Sequence, residues 1–182
     1  MFGKVFNYGG MGGLIAGILM FALAAISHHH PSPQHAAPVG YAVMVLAALP
    51  IFSAIRRYRA ENSRGDIGIV PALAIGLAVA AISAVVYALC WELILAWGGI
   101  DYAADHAAQV LQQAREQGLG GSALEELNAD LQQWRSAYAS TPYRLSFSFM
   151  ESFPTGAVVA LVSALLLRNP RFMPLRGAVR RR

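Results

Sequence analysis

Four apolar stretches dominate the sequence, and each is long enough to cross a lipid bilayer as a helix. They cover about residues 5–27, 36–55, 67–97 and 145–167. A hydrocarbon core of about 30 Å requires about 20 helical residues, and helices satisfy their own backbone hydrogen bonds in lipid. Within the stretches, formal charges occur only at Glu92 and Glu151. The pattern predicts an all-α membrane protein with four transmembrane helices in a single membrane domain.

The composition agrees with this class and excludes others. Charged residues make up 13% of the chain, against roughly 25% in soluble domains. A single cysteine, Cys90, excludes an internal disulfide framework and a zinc site built from paired cysteines. The net charge of +4 does not indicate nucleic-acid binding, because the basic residues flank apolar runs, where membrane orientation explains them.

The basic residues are distributed unevenly between the loops. Residues 56–64 and the tail 168–182 are rich in arginine, and Lys4 precedes the first stretch, whereas the loop 28–34 has no Lys or Arg. By the positive-inside rule both termini and the middle loop lie in the cytoplasm. We therefore predict a multi-pass membrane protein whose first and third loops face outside.

The third loop, residues 101–141, reads as an extracytoplasmic amphipathic helical hairpin. Asp101 is a plausible N-cap, residues 118–121 supply a glycine-rich turn, and Ser122 with Glu125 matches a capping box. An apolar stripe at helical spacing follows in the second helix, at Leu124, Leu127, Leu131, Trp134 and Tyr138. The hairpin could be a surface for a partner or a lid. Alternatively, its two helices simply pack on each other and on the membrane surface.

Small residues recur at four-residue spacing in the first and fourth stretches, which allows close packing of membrane helices. The residues concerned are Gly9, Gly13, Gly17, Gly156 and Ala160.

Lys4, the apolar run and Ala22-Leu23-Ala24 also resemble a signal peptide. The glycine pattern favours a retained helix instead.

The order of several short motifs resembles a known family over nearly the whole chain. Trp91-Glu92 ends the third stretch, and a Glu-x-Phe-Pro-x-Gly run, residues 151–156, opens the fourth. The other segments that carry the resemblance are residues 40–44, 51–52, 56–59 and 149–150. In this order they resemble the DUF4199 family of bacterial membrane proteins. The resemblance implies four spans and a bacterial origin, and it carries no biochemical activity.

Glu92 and Glu151 are the candidate functional residues, because an ionisable group inside a span is costly and usually faces protein or water. Both lie toward the external ends of their spans and could reach a similar depth, so they could form a proton or cation site. Ser148 and Thr155 share the helical face of Glu151. Alternatively, each carboxylate is an interfacial anchor that reaches water or is satisfied by one of three neighbours, Arg144, Tyr102 or Trp91.

The first external loop contains several histidines, and three of them, His28, His30 and His35, could offer imidazole ligands. Consecutive histidines seldom all reach one ion, and no acid or cysteine stands at a fixed spacing from them. We therefore predict a polar loop and no metal site, and nothing in the sequence indicates a cofactor.

No catalytic motif is present. The sequence has no His-Glu-x-x-His, no Gly-x-Ser-x-Gly and no phosphate-binding loop. The prediction is a non-enzymatic structural or accessory membrane protein acting through its external hairpin or its membrane surface. Its partners would be the lipid bilayer and either a second copy or another membrane protein. The alternative is a small oligomeric transporter or channel, linked to protons or cations, that uses Glu92 and Glu151.

Overall fold

The computed structural model describes residues 2–29, 42, 45–62, 67–98, 101–169 and 171–173, and within these ranges the chain is helical with no strand. The all-α class predicted from the sequence is confirmed. Six helices are described: α1 Phe2–His29, α2 Leu49–Asn62, α3 Ile69–Gly98, α4 Tyr102–Glu116, α5 Gly121–Tyr138 and α6 Thr141–Arg168.

Three of these helices are long and apolar enough to cross a membrane. The segments are Gly3–Ala22 within α1, the whole of α3 and the whole of α6. With 30 residues α3 is about 45 Å long, so it must tilt or extend beyond a core of about 30 Å. The second predicted span falls partly outside the described residues, namely at 36–41, 43 and 44, and α2 covers its end.

The surfaces of α1, α3 and α6 carry large apolar side chains that no part of the described chain covers. Examples are Ile18, 67% exposed, Val70, 75% exposed, and Met150, 65% exposed. Soluble monomers rarely expose apolar patches of this extent. Lipid is the solvent that suits such faces, which agrees with a membrane protein.

Helices α3 and α6 meet through small residues on both sides. A Cβ added to Gly76 would lie 2.7 Å from the Cβ of Ala160, and one added to Gly156 would lie 2.9 Å from the Cβ of Ala80. Each glycine thus faces an alanine of the other helix. The pairs Gly76 with Ala160 and Ala80 with Gly156 run in opposite directions along the two helices, so α3 and α6 are antiparallel. The small side chains let the two backbones approach closely.

Helices α1 and α3 also meet through glycines, but they run parallel. The neighbouring pairs are Gly9 with Ile82, Gly13 with Val86 and Gly17 with Cys90. The Ser83 hydroxyl, on the same face of α3, donates a hydrogen bond of 2.9 Å to the carbonyl of Gly9. All five small residues selected from the sequence therefore lie where α3 meets α1 or α6.

Gly13→Ala should destabilise the protein by about 1–3 kcal/mol, the usual range for overpacking. The new Cβ would lie 2.5 Å from the Cβ of Val86 and 2.6 Å from the carbonyl oxygen of Ser83, and backbone cannot move aside as a flexible side chain can. Gly10→Ala is the matched control, since nothing lies within 4 Å of its added Cβ. The measurement is unfolding in detergent micelles. Equal stability of the two variants would contradict the close contact.

The two hairpin helices differ in how their first turns are capped. The Asp101 carboxylate accepts a hydrogen bond of 3.0 Å from the Ala104 amide, so the predicted N-cap is confirmed. The predicted capping box at Ser122 is wrong. Gly120, which is extended, is the N-cap and Gly121 adopts φ +59°, so α5 starts two residues earlier than a cap at Ser122 would give, with no side-chain cap. A glycine pair can enter the helix through a left-handed residue that Ser122 would avoid.

The stripe of α5 faces inward, as its spacing predicts. Leu124, Leu127, Leu131 and Trp134 are half-buried, Tyr138 is buried, and α5 packs against α4. Between Asp101 and Ser140, where every residue is described, Leu119 at the turn is the one exposed large apolar side chain. The outer surface of the hairpin is therefore polar, unlike the surfaces of α1, α3 and α6.

At the opposite end of the bundle a buried arginine holds the end of α6. Arg59 is 1% exposed, and its guanidinium donates to the carbonyls of Leu167 at 3.1 Å, Phe172 at 3.0 Å and Met173 at 2.6 Å. Met173 adopts φ +49°, an uncommon conformation for a residue other than glycine. The arginine thus satisfies carbonyls that the end of a helix leaves without partners.

Some boundaries differ from the predicted ones by a few residues. Helix α1 continues through His28 and His29, so these two residues belong to the helix and not to the first loop. Helix α6 begins at Thr141, four residues before the predicted start of the fourth span. Pro142 in its first turn fits there, since the amide that proline lacks would have no helical partner at that position.

Candidate functional site at the hairpin end

Glu92 and Arg144 form a bidentate ion pair where the hairpin joins the spans. The Arg144 Nε donates to one carboxylate oxygen of Glu92 and a terminal nitrogen donates to the other, each at 2.7 Å. The two side chains are 18% and 19% exposed. Parallel bonds of this kind fix geometry as well as charge. Of the three neighbours named from the sequence, Arg144 is therefore the one that holds Glu92.

Arg144 also closes the end of the hairpin. Its guanidinium donates to the carbonyls of Tyr138 at 3.0 Å and Ala139 at 2.9 Å, and to the Thr141 hydroxyl at 2.8 Å. The last carbonyls of a helix lack partners within it. One side chain therefore joins the end of α3, the end of α5 and the start of α6.

Aromatic side chains pack beside this ion pair. We call them the aromatic cluster: Trp91, Tyr102, His106, Trp134, Tyr138 and Phe147. The indole of Trp91 donates a hydrogen bond of 2.8 Å to the Tyr138 hydroxyl, and the rings of Trp91 and Tyr102 meet edge to face at 5.2 Å. Aromatic pairs add about 0.5–1.5 kcal/mol beyond the area they bury. The cluster thus fixes the hairpin on α3 and α6.

Burial changes the acid–base behaviour of the cluster. It raises the pKa of Tyr102 to about 12, and the nearby Glu151 carboxylate adds to this shift. It also raises the pKa of Tyr138, although the hydrogen bond from Trp91 acts in the opposite direction. Both hydroxyls are therefore protonated at neutral pH.

His106 lies between aromatic rings of both hairpin helices. Its ring stacks on Tyr102 at 5.7 Å and lies 5.3 Å from Trp134. Burial lowers the pKa of His106, because the cationic imidazole loses hydration among these rings. The neutral form is therefore the one that the folded hairpin accommodates.

Acidification should loosen the hairpin through His106. The unfolded chain has an imidazole pKa of about 6.5, and the folded pKa is lower. Over that interval the unfolded state binds more protons. The contribution of His106 to stability is complete above about pH 6.5 and decreases as the pH falls through the folded pKa. The measurement is thermal unfolding followed by tryptophan fluorescence between pH 8 and 5. His106→Phe keeps an aromatic ring and should show a flatter profile, and an unchanged profile would contradict the assignment.

Glu151 lies at the same end but in a different setting. Its side chain is exposed on the surface of α6, and it forms no ion pair with any residue that the structure describes. Its charge acts on the hydroxyls of Tyr102 and Tyr138, and the charge of Glu92 acts on Tyr138 too. The two carboxylates therefore flank the aromatic cluster, one clamped by an arginine and the other facing outward.

The remaining predicted site residues are placed separately. Ser148 was expected on the face of Glu151, but it points into the bundle and is buried. Thr155 is half-buried.

Of the candidate metal ligands, His28 lies within α1, and His30 and His35 are outside the described residues. In the part of the chain that is described, no group of three or more His, Cys, Asp or Glu side chains could hold a metal ion.

Several members of the aromatic cluster were not selected as site residues from the sequence, namely His106, Trp134, Tyr138 and Phe147. The spacing of the aromatic residues could have indicated that they cluster. Tyr102 and His106 are four residues apart, as are Trp134 and Tyr138, so each pair occupies one helical face. What the sequence lacks is the information that these two faces meet each other and Trp91.

Comparison with protein families identifies the chain. The model of a family described as "Protein of unknown function (DUF4199)" matches residues 7–169. The chain belongs to the DUF4199 family. The resemblance inferred from the motifs is thereby confirmed, and the match covers both carboxylates, the hairpin and the aromatic cluster. Comparison with curated proteins gives no match, and neither does comparison with solved structures.

Proposed function

We propose that this DUF4199 protein is a non-enzymatic accessory protein of the bacterial inner membrane that presents its hairpin to a partner at the external surface. The observation that carries the proposal is the Glu92–Arg144 clamp. Both carboxylate oxygens of Glu92 are bound, so this residue holds the hairpin and is not free to exchange ions. A fixed hairpin is suited to recognition, because little of its freedom is lost on binding.

The directions of the helices support four spans. The glycine contacts make α1 and α3 parallel, which is the relation expected if one span between them returns the chain across the membrane. Glu61, near the end of α2, pairs with Lys4, near the start of α1. Helix α2 therefore ends where α1 begins, as expected if residues 36–55 form the returning span.

The charges support an orientation with both termini in the cytoplasm. At the end of the bundle opposite the hairpin lie Lys4, Arg56, Arg57, Arg59, Arg168 and Arg171, with Glu61 as the one acid among the residues described there. Residues 101–141, in contrast, hold six acids and two arginines. The positive-inside rule places the arginine-rich end in the cytoplasm.

Topology reporters provide the first test. A reporter after Asn62 should read cytoplasmic and one after Gly120 external. The reverse result would place the hairpin in the cytoplasm and contradict the proposal.

The partner should recognise polar and acidic surface, since the outer face of the hairpin has no apolar patch. A photo-crosslinking residue at the exposed positions Gln109 or Asn128 should give one discrete protein adduct in native membranes. The adduct should weaken as salt rises, because charge attraction between exposed groups is screened. The matched control is the same residue at the apolar surface position Leu161. Adducts at Leu161 alone, or at neither site, would contradict a hairpin partner.

A second candidate, a proton-linked transporter, is favoured by one feature beside Glu151. Pro154 lies inside α6 and leaves the Met150 carbonyl without its usual helical donor. A void of about 20 Å³ lies nearby, lined in part by Ser83, Tyr87 and Ser152, and it is large enough for about one water molecule. Proton flux into proteoliposomes distinguishes the candidates. We expect no flux that depends on Glu151, whereas a flux that Glu151→Gln abolishes would replace the accessory role with transport.

A further inference from the structure

A cavity of about 260 Å³ lies at the arginine-rich end, among α1, α2 and α3. It is far from the hairpin and plays no part in the function proposed above. Its polar wall includes Lys4, Tyr8, Arg57 and Glu61, and its apolar wall includes Ala54 and Ile75. Cations at the mouth and apolar side chains behind them form an amphipathic site at the end of the membrane helices.

The cations of this cavity share a single carboxylate. Glu61 accepts a hydrogen bond of 2.9 Å from the Arg57 Nε on one oxygen and binds the Lys4 ammonium with the other. Lys4 and Arg57 hold the pKa of Glu61 below its usual range, so it is ionised at neutral pH. Two positive charges and one negative charge leave the site with a net charge of +1, and no other acid is described near it.

The cations are exposed enough to be reached by a ligand. The Lys4 and Arg57 side chains are 54% and 58% exposed, and pairs this exposed contribute little to stability. Ala54 and Ile75, in contrast, are buried and fix the inner wall. The site therefore combines a fixed apolar wall with adaptable charges.

The size and position of the cavity fit one part of a lipid. Pockets for whole small molecules are typically about 300–1,000 Å³, so this cavity suits a headgroup rather than a complete lipid. Phe6, 65% exposed on α1, begins the apolar surface next to Val5, which also lines the cavity. Acyl chains can follow that surface while the headgroup stays at the charged mouth.

We propose that this cavity binds the phosphate of an anionic membrane lipid, with Lys4 and Arg57 as its cationic ligands and the Tyr8 hydroxyl as a donor. Basic pockets between membrane helices commonly bind such headgroups. The phosphate replaces the Glu61 carboxylate as the partner of at least one cation, so Glu61 competes with the lipid for the site.

Native mass spectrometry of the full-length protein, given an equal mixture of phosphatidylglycerol and phosphatidylcholine, tests the proposal. Wild type should retain phosphatidylglycerol in preference. Lys4→Gln or Arg57→Gln should weaken this retention about fivefold each, and the double variant about 25-fold. Arg56→Gln is the matched control, because this exposed arginine lies beside Arg57 but does not line the cavity. Equal losses from Arg56→Gln and Arg57→Gln would show general attraction to the basic end and overturn the proposal.

Two further variants separate the cavity from its charge. Val5→Trp keeps every charge and fills space, so it should also lose phosphatidylglycerol, whereas Glu61→Gln should strengthen retention about fivefold by removing the competitor. Unchanged retention in both would exclude the cavity. A competition experiment with inorganic phosphate distinguishes the lipid from free phosphate. We expect inorganic phosphate to displace phosphatidylglycerol only weakly. If it displaced the lipid at equal concentrations of the two, the site would be assigned to free phosphate instead. Melting temperatures within a few degrees of wild type show that the variants are folded.

Discussion

Arg59→Met should lower the free energy of unfolding by at least about 3 kcal/mol. The substitution removes three hydrogen bonds from a charged donor, each worth about 1.5–3 kcal/mol, and leaves three carbonyls without that partner. Because Arg59 is almost fully buried, water cannot easily replace the guanidinium. The methionine side chain preserves most of the packing, so the loss reflects the hydrogen bonds.

The location of the effect is as informative as its size. The Arg59 bonds reach across to the end of α6 and the turn after it, where Met173 keeps its left-handed backbone. Without them this turn should open, and trypsin should cut after Arg168 and Arg171 before the rest of the protein unfolds. Arg59→Lys should give an intermediate result, since an ammonium lacks the planar fork that reaches several carbonyls at once.

Arg56→Met is the matched control for this experiment. Arg56 lies three residues earlier in α2 and is exposed, and it has no hydrogen bond within the described part of the chain. It should change stability by less than about 0.5 kcal/mol, as exposed substitutions usually do. If Arg59→Met and Arg56→Met gave the same stability and the same tryptic pattern, the anchoring of α6 by Arg59 would be refuted.

The long helices could be predicted from the sequence because apolar length determines them directly. The ends of α3, Ile69 and Gly98, lie within two residues of the predicted limits. The small residues at Gly9, Gly13 and Gly156 could also be selected, since a glycine every four residues has few explanations in a membrane helix other than close contact. Both inferences depend on properties of one helix at a time.

Contacts between distant residues could not be predicted in the same way. Arg59 and the Leu167 carbonyl are 108 positions apart, and Arg144 and Glu92 are 52 positions apart. Periodicity shows which face of a helix is apolar, but not which residue lies across from it. Arg144 was one of three candidate partners for Glu92, and the sequence alone offered no reason to choose it over Tyr102 or Trp91. From the sequence, Arg59 was one of the basic residues that orient the protein in the membrane. Nothing in the sequence indicated that its guanidinium is buried and donates hydrogen bonds.

The hairpin illustrates an intermediate case. Its existence and its inward stripe followed from polarity and spacing, whereas its exact start did not. Ser122 and Glu125 have the spacing of a capping box, but Gly120 and Gly121 offer the backbone an earlier start. Two local signals competed within three residues, and the freedom of glycine decided between them.

The second large effect is expected at the Glu92–Arg144 clamp, where Arg144→Met should cost about 2–4 kcal/mol. Removing one partner of a buried ion pair leaves an uncompensated charge, at a cost of about 3–5 kcal/mol. This pair retains some exposure, so its cost should be near the lower end. The carbonyls of Tyr138 and Ala139 also lose their donor. Glu92→Gln should cost less, about 1–2 kcal/mol, because the amide still accepts one hydrogen bond from Arg144.

A double variant separates the ion pair from the rest of the arginine's contacts. Glu92→Leu combined with Arg144→Met leaves no orphan charge at the site, so it should be more stable than Arg144→Met alone. Arg115→Met provides the control on the hairpin, because the exposed Arg115 side chain forms no hydrogen bond with the residues described and should be nearly neutral. If the losses in unfolding free energy of the two single variants added up to the loss of the double variant, Glu92 and Arg144 would not interact.

Hydrogen exchange shows whether the clamp holds the hairpin as a unit. In Arg144→Met, amides of α4 and α5 should exchange faster together, while those of the α3–α6 contact around Gly76 and Gly156 should keep their protection. This result is expected because local opening requires only the ion pair and the aromatic cluster to separate, whereas the residues of the small-residue contact are buried in the bundle. The photo-crosslinks at Gln109 and Asn128 should decrease in the same variant. Unchanged protection of the hairpin amides would show that the aromatic cluster alone fixes the hairpin, and the proposed role of Glu92 would then be wrong.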